Sequence, residues 1–481
     1  MAFGIGSTLT FRRLTLVLGE TVLLLLVCGL VTTFPDWLDL ISQQGELSLD
    51  VLPWTKMALR GGALTVLLQA CFVLQDLYDW RVTSNRNQTS IKLLESIFYA
   101  GVLVGLVHYG LHAGASLIDP AQVAAFTSKP WTSLVALVAV APVSYGYRWL
   151  FHWVFAQWEF KDRVLLVGAG SMARTLSDEL SRLRDPGYEL IGYVRCDDAP
   201  SSELTLPCLG AAPDLFRIAQ EARASRVVVA MDERRGKLPI LELLNCRLGG
   251  MRVDEAETLY EKLTAKIAVQ RLRPSHLVFS HGFTQGRVTF AVKRLADIAM
   301  ATVGLVLAAP IALVTALLIK LESRGPALYG QARVGKDGRV FTVWKLRSMR
   351  SDAESAGPQW AARNDSRVTR IGRIIRMTRI DEIPQLWNVL RNEMSLVGPR
   401  PERPFFVEEL RKQIPYYMER LIVKPGLTGW AQINYQYGSS VEDAVTKLQY
   451  DLYYIKNLSI WLDLLILLRT VKVIVLRRGA S

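Results

Sequence analysis

The sequence predicts three parts: a bundle of four membrane helices over residues 1–160, a doubly wound α/β domain over residues 161–285, and a mostly α domain over residues 286–481. Three observations predict this fold class. Four long apolar runs lie in the first third of the chain, alternating strand and helix patterns follow, and a fifth apolar run has a central proline. A chain of 481 residues is also long enough for about three domains.

The composition is that of a basic membrane protein. Half of the residues are hydrophobic, and 57 Lys and Arg outnumber 44 Asp and Glu to give a net charge of +13. In a membrane protein this excess favours anionic lipid and phosphate ligands, and no zinc-finger, RNP-like or basic-arm pattern indicates nucleic acid. The five cysteines form no Cys-x-x-Cys pair, which predicts neither a zinc site nor a disulfide framework and fits a reducing compartment.

The first domain contains four apolar runs, each long enough to cross a hydrocarbon core about 30 Å thick. A cleaved signal peptide is the alternative for the first run, but its length and the three later runs favour a span. Basic residues follow the second and fourth runs, so the positive-inside rule predicts that both ends of the domain are cytoplasmic. Three polar residues within the spans, Glu20, Gln69 and His108, are expected to make helix–helix contacts. The runs are Leu14–Thr33, Gly61–Leu77, Leu93–Leu111 and Trp131–Phe155.

The middle domain alternates buried strands with helices. Arg163–Ala173 has the pattern of a strand, a glycine turn and a helix start, and further strands are expected at Tyr188–Arg195 and Arg226–Met231. This alternation predicts a parallel, Rossmann-like sheet.

The glycine turn of this domain contains Gly168 and Gly170 and could hold a dinucleotide pyrophosphate, with Asp197 or Asp198 on the ribose. A domain without a ligand fits the same pattern equally well. A nucleotide-sugar dehydratase or epimerase is one alternative for the whole chain. It would need a Tyr followed by Lys four residues later, and none of the sixteen tyrosines has one.

The fifth apolar run covers residues 295–321 and contains Pro310. A full crossing would carry the basic segment that follows to the outside, against the charge rule. Proline lacks the N–H that a helix needs and clashes with the preceding turn. We therefore predict a helix–break–helix that enters the cytoplasmic leaflet and returns, with a kinked span as the alternative.

Two adjacent carboxylates, Asp381 and Glu382, lie at the expected start of a helix in which Gln385, Leu390 and Met394 keep helical spacing. Backbone N–H groups at such an end bind anions and lower the pKa of a nearby carboxylate, so Asp381 is predicted to be ionised beside a phosphate-sized site. Glu382 is a candidate ligand for Mg²⁺, which prefers carboxylate and phosphate oxygens. An ion-paired helix start without chemistry is the alternative, because Asp-Glu occurs at three other places.

The last part of the chain contains several ordered motifs. They are Lys293-Arg294 with Asp297, Gln331–Gly335, Phe341–Met349, Arg376 with Asp381-Glu382, Ser395–Glu402, Lys424–Gln432 and Tyr450–Tyr454. Together they resemble the bacterial sugar transferases, the polyprenol-phosphate phosphoglycosyl transferases with a re-entrant membrane helix. The whole chain is similar to the large, four-span members that build exopolysaccharide, O-antigen or capsule. One departure is Ala309, where the family often has Ser before the hairpin proline.

The resemblance implies that residues 286–481 are a monotopic catalytic domain on the cytoplasmic face of the bacterial inner membrane. It implies transfer of a sugar-1-phosphate from a UDP-sugar to undecaprenyl phosphate, with release of UMP, through a covalent aspartyl-phosphosugar. Asp381 would be the nucleophile and Glu382 would hold Mg²⁺. The phosphate-binding cations would be Lys345, Arg347, Arg376 and Arg400.

Other interpretations of this part remain open from the sequence. An ordinary solvated surface is the alternative for the four cations, and a non-catalytic scaffold of a polysaccharide assembly complex is the alternative for the whole chain. The large members of the family also suggest a homodimer. Ile455–Arg478 is predicted to be an amphipathic helix on the same leaflet, in preference to a sixth span.

Overall fold

The computed structural model describes residues 8–42, 57–78, 86–113, 130–157, 162–182, 187–196, 204–271, 282–283, 286–350, 367–435, 438 and 440–475. The chain divides into two compact units, residues 3–253 and residues 254–481. This boundary lies before the predicted one at residue 285, because the helix Ala256–Thr264 packs with the second unit. Within that unit, Lys456 Nζ donates to Glu261 Oε2 at 2.6 Å.

The first unit begins with long apolar helices. Each of the four predicted runs falls on a helix long and apolar enough to cross a membrane, and among the described residues a fifth such helix lies in the second unit. A π-helical turn, Met57–Gly61, leads into the second helix, which ends at Leu74, three residues earlier than predicted. The helices are α1 (Thr8–Ser42), α2 (Gly62–Leu74), α3 (Arg86–Ala113) and α4 (Pro130–Gln157).

Buried polar contacts join these helices. Arg148 donates through Nε to Glu20 Oε1 at 2.8 Å and through Nη2 to Glu20 Oε2 at 2.6 Å. Its Nη1 donates to the carbonyl oxygen of Leu77 at 2.8 Å, and Gln69 donates to Thr21. The prediction that Glu20 and Gln69 make helix–helix contacts is therefore confirmed. The fork of Arg148 satisfies both oxygens of a carboxylate that would be costly to bury alone.

A parallel α/β sheet follows in the first unit, as the alternating pattern predicts. Numbered along the chain from Asp162, its five strands lie in the order third, second, first, fourth, fifth, and the first strand pairs in parallel with both the second and the fourth. The order reverses between the first and the fourth strand, where ligands of open α/β sheets usually bind. The strands are β1 (Asp162–Val167), β2 (Tyr188–Arg195), β3 (Cys208–Ala211), β4 (Arg226–Val229) and β5 (Arg252–Glu255), and the helices between them are α5 (Ser171–Arg182), α6 (Leu215–Glu221) and α7 (Ile240–Leu248).

The second unit is mostly helical and has short strands. Its core includes Val389, Met394, Leu448, Leu452 and Tyr454, each at most 1 % exposed. The strands are β6 (Leu328–Val334), β7 (Val340–Leu346), β8 (Ser395–Val397) and β9 (Gly426–Thr428). The helices are α8 (Ala256–Thr264), α9 (Arg287–Glu322), α10 (Arg370–Met377), α11 (Gln385–Leu390), α12 (Pro404–Gln413), α13 (Trp430–Asn434), α14 (Val441–Lys456) and α15 (Ile460–Val475).

Helix α9 passes through Pro310 with no gap in its helical secondary structure. The predicted interruption of the helix is therefore not found, and the re-entrant path stays a prediction. Residues near both ends of α9 contact other segments of the second unit. Arg294 donates to the carbonyl oxygen of Val389 at 2.7 Å, and Glu322 accepts from the backbone N–H of Arg370 at 2.8 Å. The middle of the helix is exposed and apolar, for example at Leu307.

The C-terminal part differs from the single amphipathic helix predicted from residue 455. Helix α14 continues to Lys456, and α15 is a separate helix that begins at Ile460. Asp463 of α15 is buried rather than solvated, because it accepts from Lys293 Nζ at 2.6 Å and from the Tyr454 hydroxyl at 2.8 Å. Asp463 thereby links α15 to Lys293 near the start of α9 and to Tyr454 of α14.

Candidate active site

The two carboxylates occupy a 3-10 turn, Ile380–Glu382, that leads into α11. Arg379 precedes this turn in a left-handed conformation, with φ of +58°. Asp381 and Glu382 are only 7 % and 9 % exposed. Helix α11 ends at Leu390, so Met394 lies beyond the helix that its spacing predicted. The positive charge around the pair comes from Arg379 at the start of the same turn and from Lys345 and Arg400 in other segments.

Three cations converge on one oxygen of Glu382. Arg400 Nη2 lies 2.8 Å from Glu382 Oε1, Arg379 Nη1 lies 3.6 Å away and Lys345 Nζ lies 3.7 Å away. Burial raises the pKa of Glu382, but these three charges outweigh it and bring the pKa down to about 2. Glu382 is therefore ionised at neutral pH, and it is the electrostatic centre of the site.

Asp381 has a different environment from its neighbour. Its Oδ1 is buried and has no hydrogen-bond partner among the residues that the structure describes. Burial, followed by the negative charge of Glu382, raises the pKa of Asp381 to about 6, although Lys345, Arg379 and Arg376 act in the opposite direction. The prediction that a helix end lowers this pKa is wrong, because removal from water dominates. Asp381 still ionises near neutral pH, where its free oxygen can act as a nucleophile.

Backbone packing fixes the loop that carries Arg400. The carbonyl oxygen of Arg400 accepts from Arg420 Nη2 at 2.9 Å, and Arg420 is held by the buried carboxylate of Asp451 at 2.8 Å. A Cβ on Gly426 would lie 2.1 Å from the backbone nitrogen of Gly398. Only glycines permit this close approach of the strands β8 and β9. The loop therefore presents the Arg400 side chain from a rigid base.

A basic cleft lies beside the acidic pair. Its lining includes Arg333, Lys345, Gln385, Arg400 and Pro401. Arg333 also holds the loop, since its Nη1 donates to the carbonyl oxygen of Pro401 at 2.8 Å. Burial lowers the pKa of Lys345, because an ammonium loses hydration there, even though Glu382 favours the charged form. The cavity that these side chains enclose has a volume of only about 10 Å³, so the three cationic side chains would have to move apart to admit a ligand with several negative charges.

The four cations predicted to bind phosphate have different positions. Lys345 and Arg400 meet at Glu382, as described above. Arg376 lies close enough to Asp381 to lower its pKa, and its Nε donates to Ser348 Oγ at 2.9 Å. Arg347 is elsewhere: its guanidinium donates to the carbonyl oxygens of Arg324 at 2.9 Å and Ser323 at 2.8 Å. Since Arg347 caps the end of α9, we do not include it in the phosphate site.

Arg333, Arg379 and Gln385 contribute to the site but are absent from the set predicted by sequence. Arg333 and Arg379 lie within or beside predicted motifs, so the motifs themselves were the available signal. Nothing in the local pattern around Gln385 distinguished it from an ordinary helix residue. Its importance becomes visible only when its burial and the cleft around it are known.

The residues at the site fit Mg²⁺ only together with a phosphate ligand. In the described ranges no group of three or more His, Cys, Asp or Glu side chains could hold a metal. Mg²⁺ is usually held by one or two carboxylates with the remaining ligands from substrate phosphates and water. Glu382 supplies one such carboxylate beside the cleft. The three cations on Glu382 would oppose a metal that arrived without a balancing anion.

The glycine turn of the α/β sheet is filled by the chain itself. Gly168 has a φ of +88°, and a Cβ on Gly170 would lie 2.6 Å from the carbonyl oxygen of Ala230. Asp232 accepts from both the backbone nitrogen and the hydroxyl of Ser171 at 2.8 Å. This carboxylate caps the start of α5, where a pyrophosphate would otherwise bind. The predicted ribose ligands Asp197 and Asp198 lie outside the described residues.

Comparisons with known proteins agree on one family. The family model described as "Bacterial sugar transferase" matches residues 288–477. The chain is 42 % identical over 238 residues to the UDP-N-acetylgalactosamine-undecaprenyl-phosphate N-acetylgalactosaminephosphotransferase of Aeromonas hydrophila, with 50 % of this chain and 56 % of the relative covered. It is 35 % identical over 326 residues to the undecaprenyl-phosphate glucose phosphotransferase of Komagataeibacter xylinus, with 66 % and 60 % covered.

A further relative matches over most of both chains. This is a UDP-glucose:undecaprenyl-phosphate glucose-1-phosphate transferase of Xanthomonas campestris pv. campestris, 33 % identical over 426 residues, which are 83 % of each chain. In the two relatives above, by contrast, the match spans little more than half of the protein. The family model covers the part of the chain that contains the acidic pair.

Proposed function

Because the chain belongs to the bacterial sugar transferase family, we propose that it transfers a sugar-1-phosphate from a UDP-sugar to undecaprenyl phosphate and releases UMP. The names of the relatives support both substrates. The observation on which the proposal chiefly rests is the free, buried Oδ1 of Asp381 beside a cleft lined by three cations. This arrangement offers one nucleophilic oxygen next to three cations that would bind a diphosphate when the narrow cleft opens.

The first step of the proposed reaction is an attack by Asp381. Its Oδ1 forms a bond to the sugar-linked phosphorus, and the bond from that phosphorus to the bridging oxygen breaks. UMP leaves with the electron pair of that bond. In the second step a phosphate oxygen of the lipid forms a bond to the same phosphorus and displaces the Asp381 carboxylate. Splitting the transfer lets one site handle a water-soluble donor and a membrane-bound acceptor in turn.

The cations supply binding and charge compensation. Arg333, Lys345 and Arg400 line the cleft, and guanidinium groups bind phosphate oxygens through two parallel N–H groups. Glu382 holds Arg400 and Lys345 in place through contacts of 2.8 and 3.7 Å. Mg²⁺ bound with the diphosphate would neutralise charge on the leaving UMP, and Glu382 is the residue that would hold it.

The contacts of α9 support a site at a membrane surface. The helix would be about 54 Å long if it were straight, yet residues near both of its ends bind the same unit. A helix that crossed a bilayer would place these ends on opposite sides. We therefore propose that α9 enters and leaves one leaflet, which places the unit with Asp381 on the cytoplasmic face of the inner membrane.

Transfer of label from a UDP-sugar to the lipid phase tests this function. The purified chain, in lipid with undecaprenyl phosphate and Mg²⁺, is given a panel of radiolabelled UDP-sugars, and UMP is measured in parallel. We expect lipid-dependent UMP release from at least one of them and none from Asp381→Asn. Asp337→Asn, an exposed carboxylate of the same unit, is the matched control and should retain activity. Turnover by Asp381→Asn at the wild-type rate would refute the proposed nucleophile.

A further inference from the structure

Gln385 is a buried residue whose amide has an unsatisfied donor. Its side chain is 4 % exposed, lines the basic cleft, and has an Nε2 without a hydrogen-bond partner in the described part of the chain. A buried N–H group that donates to nothing is costly, and such groups in folded proteins usually mark a missing ligand or a functional role.

Asp381 and Gln385 are four residues apart across the turn that leads into α11. At this spacing in helical structure, side chains point to the same face, one turn apart. One of them has a buried oxygen without a donor, and the other has a buried N–H without an acceptor. A phosphoryl group suits both atoms in different ways: its non-bridging oxygens accept a hydrogen bond from the Gln385 amide, and its phosphorus is the electrophile that the Asp381 oxygen attacks in the proposed reaction.

We propose that the Gln385 amide donates a hydrogen bond to a non-bridging oxygen of the phosphoryl group that Asp381 attacks. This role rests on the proposed function. The amide transfers no proton: the bond from Asp381 to phosphorus forms, the bond to the leaving UMP breaks, and Gln385 holds an oxygen whose charge changes between these states. Arg333, Lys345 and Arg400 attract the diphosphate as a whole, whereas a neutral amide is directional and fixes the orientation of one oxygen.

Asn388, on the same helix, shows what a structural amide looks like in this unit. Its Oδ1 accepts from the backbone nitrogen of Trp344 at 3.2 Å, and its Nδ2 donates to the carbonyl oxygen of Thr342 at 2.7 Å and to Glu393 at 2.6 Å. Both polar atoms of Asn388 are thus satisfied by the protein. Gln385 is also buried, but its Nε2 has no acceptor among the described residues, which leaves this donor available to a ligand.

Gln385→Met tests the role, because methionine keeps the length of the side chain and removes the donor. We expect a loss of about 100-fold in kcat for UMP release, the usual effect of removing one donor to a transition-state oxygen, and a smaller change in KM for the UDP-sugar. The melting temperature should be unchanged or higher, since the variant removes a buried unsatisfied group. The matched control, Asn388→Leu, should lower the melting temperature.

The outcomes separate this role from the proposed function. Wild-type kcat in Gln385→Met, with UMP release intact in the wild type, would overturn the role of Gln385 alone. A fall in kcat matched by a fall in melting temperature like that of Asn388→Leu would also overturn it. If the wild type released no UMP from any UDP-sugar, both proposals would fail. A large loss of kcat at an unchanged melting temperature supports the amide as a phosphoryl ligand.

Discussion

Arg400 Nη2 lies 2.8 Å from Glu382 Oε1, and this contact joins the loop after β8 to the turn that carries the acidic pair. The guanidinium contributes strongly to the low pKa of Glu382, after the opposing effect of burial. A permanently charged Glu382 in turn raises the pKa of Asp381. Two neighbouring carboxylates in one turn therefore have different pKa values, because nearby cations outweigh burial at Glu382 but not at Asp381.

The pKa of about 6 for Asp381 predicts how activity depends on pH. Only the ionised carboxylate can attack, so kcat/KM should fall about tenfold for each pH unit below about 6. The stability of the folded chain depends on the same group with the opposite sign, because the protonated form of Asp381 favours folding whereas the ionised form is needed for attack. Its folded pKa lies above the ordinary value of 3.8, so its contribution to folding is complete below pH 3.8 and is lost as the pH rises through about 6.

A pH profile of UMP release measures the first effect. Lys345→Gln removes a charge that lowers the pKa of Asp381, so the acidic limb of this variant should move to higher pH than in the wild type. A profile that stays flat down to pH 5 in the wild type would contradict the assignment of Asp381 as the group that must ionise.

We predict that Arg347→Met lowers the stability of the chain, whereas Lys345→Met weakens binding of the UDP-sugar. Arg347 caps backbone carbonyls at the end of α9, and loss of hydrogen bonds from a buried charged group should lower the free energy of unfolding by about 2 kcal/mol. Lys345 faces the cleft and Glu382, so its loss should mainly raise KM for the UDP-sugar. Thermal unfolding and steady-state kinetics on both variants separate these effects; a KM change at Arg347 without a loss of stability would be unexpected.

The membrane path of α9 can be read from the labelling of three exposed positions. In a chain whose five cysteines are replaced, we expect Val288→Cys and Leu321→Cys to react with an impermeant maleimide in inside-out vesicles and to be protected in right-side-out cells. Leu307→Cys, in the exposed apolar middle, should be protected by lipid from both sides. Labelling of positions 288 and 321 from opposite sides would show that the helix crosses the bilayer.

The glycine turn of the first unit is expected to bind no dinucleotide, because Asp232 already occupies the start of α5. Calorimetry of the wild type with NAD⁺ up to millimolar concentration should show no binding. Asp232→Ala removes a cap and should lower the free energy of unfolding by about 1 kcal/mol. Glu233→Ala, at the exposed neighbour, is the control and should change little. Micromolar binding of NAD⁺ by the wild type would contradict this interpretation.

Patterns along the chain predicted many of the elements, but neither the strands β6 to β9 nor the continuity of α9 through Pro310. The apolar runs, the strand–helix alternation, the glycine turn and the turn with Asp381 and Glu382 all depend on spacing within about twenty residues, and the structure has each of them. Local spacing was less reliable at the ends of elements. It placed Met394 on α11, which ends at Leu390, and it started the last helix at residue 455 instead of Ile460. A local pattern does not show where contacts with another segment end a helix.

Only the folded chain decided which groups meet. Convergence of Lys345 and Arg400 on Glu382, the end-capping by Arg347, and the position of Asp232 on Ser171 all join residues from separate elements. The raised pKa of Asp381 and the free amide of Gln385 depend on burial, which is a property of the surrounding packing. Sequence spacing determines which side chains share a face of one helix, whereas charge compensation and desolvation depend on distances that exist only after folding.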